Sequence, residues 1–463
     1  MNPGATILTE IEDYIERENL TISKFAERSG MHSGTLSNII NGNRPIAMQQ
    51  LDKITQAMGM NDGYFYDLYI ECYIINGAAD WRRIGPLLLR CAELNKLEAI
   101  HRVVSNILDN LFYLPMLFDT AEELFTQQKY TAAEIIYKSV AEGERFQHSE
   151  RLALCHYRLF HIALGDNQET NLHAANQFQP YVERLDEADQ LDAIKQLVDV
   201  YASLHQWNKA ECLAELMRQK ATIQYQYYNK KDTAQKQPSR TLIFYILYAF
   251  LMQSLIADET GKFDRAMYFA SLYADMSWVK TPYSDDEIVV MEQFKEWSVA
   301  NMYLYRLMAG DQEVIPEYIG YVETRKNEIS HALYRIIQAA NRYYFNVDDI
   351  LEKFSRHLSY GEQVSRLGKY KGQQVTQERR IRFFKELAVY HFNQEKFDLA
   401  FKYLLESLES SVKICSETNI LKCVGLFEKY RYAALPEYVK KYTNSISEVQ
   451  KINEEGNFLA SKY

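Results

Sequence analysis

Four times in this chain an aromatic residue follows a short polar turn and is itself followed three residues later by alanine: Tyr130–Ala133, Trp207–Ala210, Phe263–Ala266 and Phe397–Ala400. The turns read QQK, LHQ, TGK and QEK, and each opens a stretch with further apolar residues at four-residue steps. That spacing is helical. The small alanine lets two helices approach closely, and the preceding stretches carry matching residues at Ala121, Val198, Ser254 and Ala388. A recurring helical hairpin that cannot bury its apolar face alone stacks on its neighbours, so the repeat predicts a helical solenoid. From Tyr64 onward no stretch sustains the alternation of a strand. Nine prolines and eighteen glycines in 463 residues are few, which favours helices. The predicted fold class is all-α.

A second internal match is sharper. Ala300-Asn301-Met302-Tyr303-Leu304-Tyr305 recurs forty positions later as Ala340-Asn341-Arg342-Tyr343-Tyr344-Phe345. In each copy the alanine is the close-packing residue, and the asparagine falls on the opposite, concave side. An amide both donates and accepts, so Asn301 and Asn341 are suited to grip the backbone of an extended peptide; the bland reading is an asparagine tolerated on an exposed helix position. By the same count Trp297, Leu304, Ile337 and Tyr344 are the ridge neighbours expected to supply apolar pockets. Arg342 is expected to meet an acidic group on the ligand.

The N-terminal stretch from Leu20 to Met60 reads differently. Thr21 or Ser23 caps a short helix with Phe25 and Ala26 inward, and Gly30 ends it in a left-handed turn. Met31 plugs the turn. Ser33 or Thr35 opens a second helix that turns Leu36, Ile39 and Ile40 inward and leaves His32, Ser33, Gly34, Thr35, Ser37, Asn38 and Asn41 outward. A third amphipathic helix carries Leu51, Ile54 and Met58. Two short helices about a glycine turn, the second showing short polar side chains, form the helix-turn-helix pattern, whose second helix enters a major groove. Ser33, Thr35, Ser37 and Asn38 are predicted to face base edges, and Asn43 and Arg44 to meet phosphate.

Charge confines that contact. The whole chain carries a net charge of −10, which argues against general coating of nucleic acid. Residues 1–63 hold five basic against eight acidic side chains, five of the acids in the leading helix, whereas Thr21–Lys53 holds four basic against two acidic. The second helix has no arginine or lysine, so the usual bidentate contact to guanine is missing, and useful affinity calls for a dimer. Six cysteines without a C-x-x-C pair suit neither a zinc site nor a disulfide framework, and a reducing cytosol is expected. The most apolar run, Thr241–Ile256, is shorter than a bilayer span and reads as a buried helix, so no membrane partner is expected. No phosphate-binding loop, nucleophile elbow or metalloprotease motif occurs, and no enzyme, cofactor or metal is predicted. Lys369, Lys371, Arg379, Arg380 and Arg382 form a basic cluster, read either as a solvated helix start or as a subsite for an acidic group.

KFAERSGMHSGTLSNIINGNR resembles the DNA-binding domain of the lambda-repressor-like (XRE) regulators, with Ala26, Gly30, Met31, Thr35, Leu36, Ile39, Gly42 and Arg44 at framework positions. Ile22 stands where that family usually has glutamine. The hairpins resemble degenerate tetratricopeptide units. Together the two halves are similar to the RRNPP family of cytoplasmic quorum-sensing receptors, and residues 64–97 look most like the arbitrium-receptor type. The resemblance implies a helix-turn-helix domain over 1–63, connecting helices over 64–110, a right-handed superhelical peptide-binding solenoid over 111–434 and a capping or dimerisation helix over 435–463. It further implies a short reimported signalling peptide in the groove, gripped by asparagines, and a homodimer on an inverted repeat of double-stranded DNA. The competing expectation is a Rap-type regulator that binds or sequesters a partner protein. A third is a tetratricopeptide scaffold without a small ligand.

Overall fold

In the computed structural model, residues 6–77, 79–147, 149–227, 236–280, 284–325, 328–357 and 373–460 are described, with side chains omitted at 373–376 and 452–460. The chain is all-α, and among the described residues there is no strand. It divides into two compact units, Met1–Leu164 with His173–Asp186, and Gly165–Leu172 with Glu187–Tyr463.

The first unit opens with α1 (Ile7–Arg17), α2 (Ile22–Arg28), α3 (Ser33–Ile40) and α4 (Met48–Ala57). Then come α5 (Tyr66–Ile70), prolonged by a wider π turn over Glu71–Ile75, α6 (Trp81–Glu93), α7 (Leu97–Ile107), α8 (Leu114–Thr126), α9 (Tyr130–Gly143) and α10 (Glu150–Ala163). Thr6 and Thr21 cap α1 and α2 by accepting from the backbone N–H of Thr9 and Lys24. The core is continuous from Ile7 to Cys155 and does not break at residue 63, where a domain boundary is expected from sequence. Polar bonds cross that boundary. The Tyr69 hydroxyl donates to the Ile46 carbonyl at 2.8 Å, and Tyr66 donates to Asp52 at 2.8 Å, which also pairs with Arg90 at 2.9 Å. The helix-turn-helix and the helices after it are one packed body.

After α11 (Gln168–Phe178), the second unit stacks α12 (Glu187–Ser203), α13 (Trp207–Tyr227), α14 (Leu242–Glu259), α15 (Phe263–Ala274), α16 (Asp285–Met308), α17 (Ile315–Glu323), α18 (Ile329–Tyr343), α19 (Asp348–Lys353), α20 (Gln373–Asn393) and α21 (Phe397–Lys413). From α12 to α18 each helix packs on the next, as α20 does on α21, and the first helices α12, α14, α16, α18 and α20 also touch in sequence, which is solenoid-like packing.

The four aromatic signatures fall where they are predicted. Tyr130, Trp207, Phe263 and Phe397 are the first residues of α9, α13, α15 and α21. Their alanines, and Ala121, Val198, Ser254 and Ala388 on the preceding helices, have no exposed surface. The turns share one backbone design. Gln128, His205, Gly261 and Glu395 take φ between 56° and 74°, and the next N–H bonds a carbonyl five residues back at 2.8–2.9 Å. That left-handed cap satisfies the carbonyls a helix end leaves open. Asn95 repeats it between α6 and α7, with Leu97 in place of the aromatic, so this fifth hairpin escapes the sequence pattern.

Helix α14 alone is long and apolar enough to cross a membrane among the described residues, but 78% of its apolar window is buried between neighbouring helices. After α22 (Glu417–Tyr430), α23 (Pro436–Ala460) lays Tyr438, Val439, Tyr442, Ile446 and Val449 on the core of the last hairpin. Tyr442 lies parallel to Phe427 with centroids 3.9 Å apart. The tail therefore covers an apolar face of α21 and α22.

Candidate functional site

The turn between α2 and α3 is built as the sequence implies. Gly30 takes φ 60°, and the Met31 N–H bonds the Ala26 carbonyl at 2.8 Å. Phe25, Leu36, Ile39, Leu51 and Ile54 meet in the core with no exposed surface. The outward residues stay outward: Ser33, Asn38, Asn43 and Arg44 are exposed, and Thr35 and Ser37 are half-buried. Ser37 is not free to act alone, since its hydroxyl accepts from Asn41 Nδ2 at 3.3 Å. The Arg44 N–H bonds the Asn38 carbonyl at 3.1 Å, tying the loop to the end of α3.

The start of α3 differs from expectation. His32, not Ser33 or Thr35, is the cap, and its Nδ1 accepts from the Gly34 N–H at 3.3 Å. Histidine is an uncommon cap, so propensity points to the neighbouring hydroxyls instead.

The asparagine pair sits on the second unit's first helices, Asn301 on α16 and Asn341 on α18, but the two are bonded differently. Asn301 Nδ2 donates to the Tyr273 hydroxyl at 2.9 Å. Asn341 Nδ2 donates to the Glu386 carbonyl at 2.9 Å and to its carboxylate at 3.0 Å, while Asn341 Oδ1 is buried with no partner among the described residues. One turn earlier, Gln338 Oε1 is in the same state, its Nε2 donating to the Tyr334 hydroxyl at 2.8 Å. Gln338 has no counterpart in the first copy, where Ser298 stands, so the repeat does not reveal it.

The expected pocket residues separate into two groups. Leu304 and Ile337 are 7% and 0% exposed and belong to the core, a correction to their expected place on an open ridge. A first helix is covered on both flanks by its neighbours, which widens its buried stripe beyond what spacing on a single helix shows. Trp297 is half-buried with its ring 5.0 Å from Phe294. Tyr344 is 80% exposed and ends α18 at φ 60°. The Arg342 guanidinium lies over the Phe263 ring at 5.0 Å.

The first helices are joined by polar links that sequence does not announce. The Tyr245 and Tyr248 hydroxyls of α14 donate to Asp192 and Asp199 of α12. Ser254 of α14 meets the Tyr305 hydroxyl of α16 at 3.1 Å. Arg335 of α18 pairs with Asp258 of α14, both nearly buried. In the basic cluster, Arg380 pairs with Glu406 at 2.9 Å and Arg382 lies 3.8 Å from Glu378, which offsets its charge; Lys369 and Lys371 lie outside the described residues.

Residues 11–65 match the Helix-turn-helix family, which covers α2 and α3 with their flanking helices and points to a DNA-binding transcription regulator rather than an enzyme. No curated protein matches the chain. A helix-turn-helix domain followed by stacked helices is consistent with an RRNPP-like architecture.

Proposed function

We propose that this chain is a cytoplasmic, peptide-responsive transcription regulator that binds DNA through α3 as a homodimer and holds a short linear peptide in its tetratricopeptide-like unit. The observation that carries the DNA half is the row of outward short polar side chains on α3, Ser33 and Asn38 exposed and Thr35 and Ser37 half-buried, set on a buried framework that matches the helix-turn-helix family. For the peptide half, the support is the Asn301–Asn341 repeat and the two buried amide oxygens of Gln338 and Asn341, which lack partners among the described residues. A buried acceptor without a donor is costly, and a peptide N–H is one of the donors that would satisfy it on reaching it. The peptide switches DNA binding through its different affinity for two shapes of the solenoid. A change in the separation of two recognition helices breaks their match to half-sites one helical turn apart.

DNA binding is tested by titrating the chain's own promoter region with the wild type, Asn38→Ala and Arg44→Ala. Loss of a base contact at Asn38 weakens specific binding by about 1–3 kcal/mol. Loss of Arg44 weakens binding to every sequence and flattens its salt dependence. If neither variant differs from wild type, the DNA role is wrong. Calorimetry with peptides encoded by a short secreted reading frame next to the gene tests the other half. Asn301→Ala and Asn341→Ala are each expected to reduce affinity about tenfold, and wild-type affinity in both removes the groove assignment.

A second reading has its own observation. Glu12, Asp13 and Glu16 of the leading helix α1 are all exposed, an acidic surface suited to a basic partner protein. In that case the chain is a Rap-type regulator, and neither substitution on α3 or its loop alters its activity.

A further inference from the structure

From the start of α3 we infer that His32 determines sequence specificity, by donating from Nε2 to the N7 or O6 edge of a guanine in the major groove. This inference rests on the DNA-binding reading above. A ring nitrogen that accepts a hydrogen bond carries no proton, so the bond from the Gly34 N–H to Nδ1 leaves the neutral ring's proton on Nε2. Because Nδ1 faces the helix backbone, Nε2 on the other side of the ring points away from it, and His32 is exposed. The ring lies against Gly34, where a Cβ would be 3.4 Å from Nδ1 and 3.7 Å from Cε1, an ordinary contact.

The chemistry of the rest of α3 gives this donor its weight. Serine, threonine and asparagine can turn to donate or accept, and α3 contains no arginine or lysine. His32 is thus the one side chain at the start of the helix whose outward group is fixed as a donor. The N-terminal residues of a recognition helix are those that contact base edges. Guanine presents two acceptors there, N7 and O6, whereas adenine sets a donor beside its N7. A fixed donor therefore prefers guanine.

Selection from a randomised duplex library, with the full-length wild type and H32S, decides this. Serine keeps an oxygen for the helix cap, so the start of α3 is preserved. Wild type is expected to enrich a motif with guanine at one position per half-site. H32S is expected to enrich the same motif with that guanine relaxed. One of two replacements of that guanine, 7-deazaguanine for a contact at N7 or 2-aminopurine for a contact at O6, should weaken the wild type about fivefold to tenfold and leave H32S unchanged. An identical motif from both proteins overturns the inference and leaves the DNA reading intact. Equal weakening by H32S on all sequences also overturns it, because His32 then meets phosphate. No motif from the wild type overturns the DNA reading and this inference with it. Thermal melting shows whether H32S is folded, and H32N, another capping residue, is the second variant if it is not.

Discussion

Replacing Arg335 with methionine removes one half of the link between α18 and α14. Arg335 and Asp258 are 6% and 8% exposed and meet across two hairpins, 77 residues apart in the chain. Methionine fills much of the same space, so little packing is lost, but the Asp258 carboxylate is left buried without a cation. Breaking a buried pair from one side costs about 3–5 kcal/mol, because the remaining charge keeps its desolvation penalty and loses its partner. At about 2 °C per kcal/mol for a unit of this size, the thermal midpoint should fall by roughly 6–10 °C. The loss depends on pH, and Asp258 sets the sign. Burial outweighs the pull of Arg335 and raises its carboxyl to about 6. The folded protein therefore holds this proton more tightly than the unfolded chain does. This group's contribution to stability falls as pH rises from about 4 to about 6, and is level above.

Without Arg335 the carboxyl rises further. The gap between R335M and wild type should then be wide at pH 8 and narrow at pH 5. Asp258→Asn combined with R335M removes the stranded charge and should recover most of the loss. Circular dichroism melts of the three proteins at pH 5, 6.5 and 8 provide the measurement. A gap that does not change with pH, or a double variant no more stable than R335M, would refute the electrostatic argument and leave shape as the cause.

Three further outcomes are expected. Tyr69→Phe removes the donor to the Ile46 carbonyl and should lower stability by about 1 kcal/mol, measured by denaturant titration; no change would mean this bond does not hold the helix-turn-helix to α5. Asn341→Ala should also cost about 1 kcal/mol in the unliganded protein through its lost bonds to Glu386, so its peptide affinity must be read beside its melting curve. Tyr442→Ala opens the stacked contact with Phe427 and should cost about 3 kcal/mol, seen as faster hydrogen exchange along α23 and α22; protection equal to wild type would show that the tail is not held there.

The sequence by itself determined the local design. An aromatic opening a helix, an alanine one turn later and a polar turn before it are short-range patterns, and all four hairpins are found at those residues. Gly30, with Leu36 and Ile39 turned inward, likewise carries the helix-turn-helix within a few turns of chain. The tertiary structure decided what spacing on one helix cannot show. Leu304 and Ile337 are buried because helices on both flanks close over them, and the N-terminal core runs past residue 63 because Tyr66, Tyr69 and Arg90 reach back to Asp52 and Ile46. Asp258 meets Arg335 only once three hairpins are stacked. Periodicity records which face of a helix is apolar, whereas the partner of a buried polar group depends on helices far away in the chain, and no local pattern encodes that distance.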